Sequence, residues 1–123
     1  MFNVVIEKSL KEVTKKEMLQ LKDLTDAVRL DQATQEHGSV MIYNIRNMVK
    51  LFLVSDDPKN PQEYGKLVIT DTEGNRFVTG SESFARRAWE IADDMDGEEF
   101  GLKVYRRPSK NYPGREFLSC SVI

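Results

Sequence analysis

The sequence predicts a mainly β, α+β fold: a five-stranded antiparallel barrel with one helix between its third and fourth strands, preceded by an N-terminal arm. Three observations carry that expectation. Near the C-terminus, Phe100–Tyr105 and Arg115–Ile123 alternate apolar and polar residues at strand period, around a turn rich in Ser, Asn, Pro and Gly. Glu82–Met95 repeats apolar residues at helical spacing more strongly than any other segment. From Ser39 to Thr79, β-branched and aromatic residues dominate, divided by turn-forming stretches.

In chain order, Phe2–Ile6 suits a short strand, and Thr14 suits the cap of a helix running through Glu17, Met18 and Leu21. Thr25–His37 scatters Ala27, Val28, Leu30 and Ala33 among charges, which fits a short helix or an extended wrap ended by Gly38. Residues 1–38 are thus an arm packed on a domain formed by residues 39–123. Ser39–Val54 reads as one long bent strand or two short ones, because Asn44–Asn47 interrupts it. In its second half Val49, Leu51 and Leu53 form one row, and Lys50, Phe52 and Val54 the other. Ser55–Gly65 holds Pro58, Pro61 and several charges and is a loop. Lys66–Thr70 and Arg76–Thr79 form a hairpin whose turn needs the positive φ that Gly74 supplies. In the helix that follows, Ser81 or Ser83 is the cap, Phe84, Ala88, Ile91 and Met95 make the apolar stripe, and Gly97 marks the end. Trp89 packs at the stripe's edge, while Arg86 and Arg87 belong to the remaining surface.

A chain of 123 residues fits one domain and buries about two-thirds of the surface its unfolded form exposes. A formal net charge of -2 argues against binding duplex DNA by charge alone. The lone cysteine, Cys120, stands in an apolar strand row; it excludes an internal disulfide framework and suits a reducing compartment. The N-terminal residues lack the basic head and long apolar run of a signal peptide, and no stretch reaches membrane-spanning length, so the expected location is the cytoplasm. Catalysis finds little support, since His37 is the only histidine and no constellation for a nucleophile, a metal or a cofactor accompanies it. Asp71, Glu73 and Asn75 alternate as in a calcium loop, but the closing glutamate is missing and a hairpin turn accounts for them.

The order of a long strand, a loop, a hairpin, a helix and a second hairpin is that of the OB barrel; an antiparallel sheet with the helix on one face is the competing arrangement. Phe100–Tyr105, the loop Arg106–Gly114 and the strand Arg115–Ile123 resemble the last hairpin of OB-fold single-stranded-DNA-binding proteins. The phrases VTGSESF, from Val78, and SKNYPGREFLSCSVI, from Ser109, are similar to small proteins of phages and mobile elements. The resemblance covers roughly Ser39–Ile123. It implies non-catalytic, sequence-tolerant binding of single-stranded DNA, or of RNA, during phage or mobile-element DNA replication or transfer in a host cytoplasm. Bacterial members of that family continue into an acidic tail that recruits partners, which has no counterpart after Ile123, and the arm has none in the minimal family domain.

In such a domain cations meet phosphates and aromatic rings stack on bases. The final hairpin offers Lys103, Tyr105 and Arg107 on its first strand, Arg115 and Phe117 on its second, and Arg106, Lys110 and Tyr112 in its loop. Lys50 and Phe52 extend that platform to the first barrel strand, although Phe52 suits a core better than a stacking ring. A solvated basic turn is the plainer account of the loop. From a different class comes the alternative of a phage-encoded adaptor or inhibitor that binds a host protein through a sheet edge, the arm or the acidic loop at Asp56 and Asp57. Homo-oligomerisation through an exposed edge and contact with a replication protein complete the expected partners.

Overall fold

The segment Ser39–Val54 decides the architecture, because its two halves join different sheets. The computed structural model describes residues 2–59 and 62–123, so Asn60 and Pro61 of the expected loop lie outside the described residues. The elements are β1 (Phe2–Ser9), α1 (Lys15–Leu21), β2 (Val28–Arg29), α2 (Leu30–His37), β3 (Ser39–Ile42), β4 (Ile45–Ser55), β5 (Glu63–Asp71), β6 (Arg76–Thr79), α3 (Glu82–Met95), β7 (Leu102–Pro108) and β8 (Glu116–Val122). Asn44 makes the break between β3 and β4: its φ of 53° is left-handed, a conformation Asn adopts more readily than most residues. A register shift between Ile45 and Asn47 follows.

The protein is thus mainly β, with strands in two sheets. The larger runs β1-β4-β5-β6-β2, antiparallel except for the parallel contact of β2 with β6. The smaller runs β3-β7-β8, antiparallel throughout. These sheets are not closed into the expected five-stranded barrel. Among the described residues β2 takes the outer edge of β6, no ladder joins β6 to β8, and α3 packs against β8 instead.

Two cores result. Between the sheets, Met48, Leu67 and Ile69 meet Leu102, Val104, Leu118 and Cys120, with Phe84, Ala88 and Ile91 of α3 among them. On the other face of the large sheet, Val49, Leu51 and Val68 pack against Leu21, Met18 and Leu24 of the arm. Burial of β4 and β5 on both faces explains why their sequences read as near-continuous apolar runs.

The arm is therefore built into the large sheet, supplying both of its edge strands, and does more than cover a completed domain. Asn47 ties it down: this buried side chain accepts from Lys11 N at 2.9 Å and donates to Glu17 Oε2 at 3.1 Å. From the opposite edge, Arg76 Nη1 donates to the carbonyls of Gln20 and Asp23 at 2.6 and 2.8 Å.

Local capping follows the sequence. Thr14 accepts from Glu17 N at 3.1 Å and Ser81 from Phe84 N at 3.3 Å, satisfying helix-start donors that would otherwise lack partners. Gly74 has φ 87°, and Asp71 organises the β5–β6 turn by accepting from Glu73 N, Asn75 N and Asn75 Nδ2 at 2.8 to 3.0 Å. Trp89 is buried as expected, with the Lys8 ammonium 4.5 Å from its ring centroid. Among the described residues, no helix is long and apolar enough to cross a membrane.

Candidate nucleic-acid interface

Because Leu102 and Val104 enter the core, the pleat turns Lys103, Tyr105 and Arg107 to the outer face of the small sheet. On β8, Leu118 and Cys120 point inward and Phe117, Ser119 and Ser121 outward. Across the sheet Tyr105 stands between Ser39 of β3 and Ser119 of β8, and Arg107 is directly opposite Phe117. Tyr105 is half-buried there and Ser119 beside it is buried. Phe117 is 39% exposed, and Lys103 and Arg107 have no ion-pair partner among the described residues.

Beside β8 runs α3, and a groove of about 320 Å³ lies between them. Tyr105, Phe117 and Arg107 line it from the sheet, and Arg86 and Arg87 from the helix. Arg87 is shared with Glu90, whose Oε2 lies 3.5 Å from its Nη1; Arg86 is exposed without such a partner among the described residues. The groove therefore combines two aromatic rings with three guanidinium groups against one carboxylate. Planar guanidinium groups bond phosphate oxygens in pairs, and rings receive unpaired bases.

The hairpin tip is a closed turn. Ser109 N donates to Arg115 O at 2.8 Å and Arg115 N to Tyr112 O at 3.1 Å, with Gly114 at φ 83°. Tyr112 is 64% exposed there, flanked by exposed Lys110 and Arg115.

Three expected residues lie elsewhere. β7 continues to Pro108, so Arg106 falls on the pleat's inner side opposite Leu118; only 19% of its side chain is exposed, near Glu116 Oε1 at 3.8 Å and Asp31 O at 3.4 Å. It belongs to the domain's interior wall and not to the exposed cations of the hairpin. Lys50 and Phe52 follow the break at Asn44 into the large sheet, away from the hairpin. There Lys50 is held by Glu7 and Glu82 at 3.4 and 3.5 Å, and Phe52 is half-buried with its ring against Gly65.

No family model, curated protein or solved structure matches the chain. What the face binds is set by its own chemistry. Arg86 and Arg87 are the additions that sequence reasoning passed over: two adjacent arginines on the polar side of a helix look like ordinary surface until β8 is seen to lie beside them. Cys120 also borders the groove but is fully buried, and burial pushes its thiol up to about 11.

Proposed function

We propose that this protein binds single-stranded nucleic acid, without catalysis and with little sequence preference, across the outer face of β3-β7-β8. The observation that carries the reading is the groove in which Tyr105 and Phe117 lie between Arg107 and the α3 pair Arg86 and Arg87. Phosphates are neutralised by Lys103, Arg107, Arg86, Arg87 and, at the tip, Lys110 and Arg115; bases stack on Tyr105, Phe117 and Tyr112. Each stacked base contributes about 1–3 kcal/mol by alanine substitution. With a net charge of -2, attraction rests on local cations such as those of this face, and a rigid duplex that cannot bend its bases toward the rings is disfavoured. In this reading β3 to β8 form an OB-like unit left open between β6 and β8. The biological setting is the one the hairpin's resemblance implies, replication or transfer of phage or mobile-element DNA.

The test is fluorescence anisotropy of a labelled oligothymidine and of a duplex of equal length, at low and moderate salt. Tight, salt-sensitive binding of the single strand alone supports the proposal; no binding at low salt rejects it. A second reading, docking of a host protein, draws on β1, an outer strand of the large sheet with Val5 half-exposed. Binding of that kind is insensitive to changes at Tyr105 and Arg107.

A further inference from the structure

A second recess lies over β4, β5 and β6 of the large sheet, on the side facing the arm. It has a volume of about 480 Å³, within the size range of small-molecule sites. Leu24, Leu53 and Val78 give it an apolar wall, and the cations Arg29 and Lys66 stand at its rim. Neither cation has an ion-pair or hydrogen-bond partner among the described residues. The Lys66 ammonium lies beside the backbone of Gly80, 3.5 Å from the position a Cβ would take there. The one carboxylate in the recess, Asp31, accepts from the Thr79 hydroxyl at 2.8 Å, and the two cations against it leave one positive charge in excess. Gln35 adds an amide, able both to donate and to accept, that has no hydrogen-bond partner among the described residues.

We propose that this recess binds a phosphomonoester joined to a planar or apolar body of about mononucleotide size. A phosphomonoester carries close to two negative charges, which matches two cations of different kinds: the flat fork of Arg29 and the point charge of Lys66. The body lies on Leu24, Leu53 and Val78 and bonds through its polar edge to Gln35. This site is separate from the outer face of the small sheet and does not depend on single-strand binding there. The same chemistry is offered by a free mononucleotide and by the 5′-phosphate end of a strand.

The experiment is an amide NMR titration of the whole protein with adenosine monophosphate, and with adenosine and inorganic phosphate separately. Saturable shifts at Arg29, Gln35, Thr79 and Gly80 are expected, with adenosine and phosphate each at least about tenfold weaker than the monophosphate. Arg29→Gln and Lys66→Met should each weaken the monophosphate by about fivefold to tenfold while keeping the native amide spectrum and unchanged oligothymidine affinity. An absence of saturable shifts at millimolar monophosphate overturns the proposal, as does equal affinity in both folded variants. Within the proposal, tighter binding of a 5′-phosphorylated oligothymidine than of its 5′-hydroxyl form at these amides assigns the recess to strand ends. Equal binding of the two forms there assigns it to free mononucleotides.

Discussion

Tyr105 stands half-buried between two serines on the outer face of the small sheet. If it stacks on a base, Tyr105→Ala weakens oligothymidine binding by about 1–3 kcal/mol whereas Tyr105→Phe, which keeps the ring, retains affinity. Anisotropy titrations of both variants, with thermal melts to confirm folding, decide the matter; equal affinity for the alanine variant would remove Tyr105 from the platform. Cys120 makes an opposite point. Its thiol is buried and pushed up to about 11, so it should resist a disulfide-exchange reagent at neutral pH and react promptly once the chain is unfolded. The direction of the shift also fixes the pH dependence. A raised pKa means the folded state favours the neutral thiol, so this contribution to stability is complete below the unfolded value of about 8.5 and is lost as pH rises through the folded one. A titration of stability across that alkaline window, compared with Cys120→Ala, reads the contribution directly. Arg106 shows where residue-level reading failed: one strand boundary placed three residues early put a pleat-governed side chain into a loop.

The elements differ in how openly the sequence declared them. α3 was legible to its ends because the apolar stripe, Ser81 and Gly97 all agree; the final hairpin was legible as two strands because both alternate cleanly, although β7 runs on to Pro108. Removing the cap with Ser81→Ala should cost about 1 kcal/mol, measurable as a shift in the urea midpoint with unchanged slope. The break at Asn44 was visible as a polar interruption, but its effect was not: nothing local says that the residues before and after it enter different sheets. Nor does a two-residue strand such as β2 announce that it will occupy the edge of β6 that a closed barrel needs. That Arg86 and Arg87 of α3 share a groove with Tyr105 and Phe117 likewise appears only once β8 lies beside the helix. Arg86→Ala with Arg87→Ala should lower the salt dependence of single-strand binding by about 0.7 in the logarithmic slope for each phosphate no longer neutralised, with the helix intact. An unchanged slope in the folded double variant would confine the interface to the small sheet.

At the scale of the whole molecule, the arm is part of the large sheet and not an accessory laid upon it. Both edges of the large sheet come from residues 1–38, and the arm covers the face that presents Val49, Leu51, Val68 and Val78. Uncovering those side chains forfeits about 1.5–3 kcal/mol for each one returned to water. Four such losses rival the whole net stability of a domain this size, about 5–15 kcal/mol, before the missing strand pairing is counted. The polar ties point the same way: Asn47 loses its Lys11 and Glu17 partners, and Arg76 loses two carbonyls. A fragment comprising residues 39–123 should therefore show no cooperative urea transition, although it contains every residue of the candidate interface. Asn47→Ala in the full chain isolates the smaller effect: it leaves backbone and carboxylate groups at the junction without their partner, and should cost about 1–3 kcal/mol. Urea unfolding followed by circular dichroism measures both. A fragment that melts cooperatively at the full-length midpoint would show that β3 to β8 stand alone, and the arm would return to being a cover.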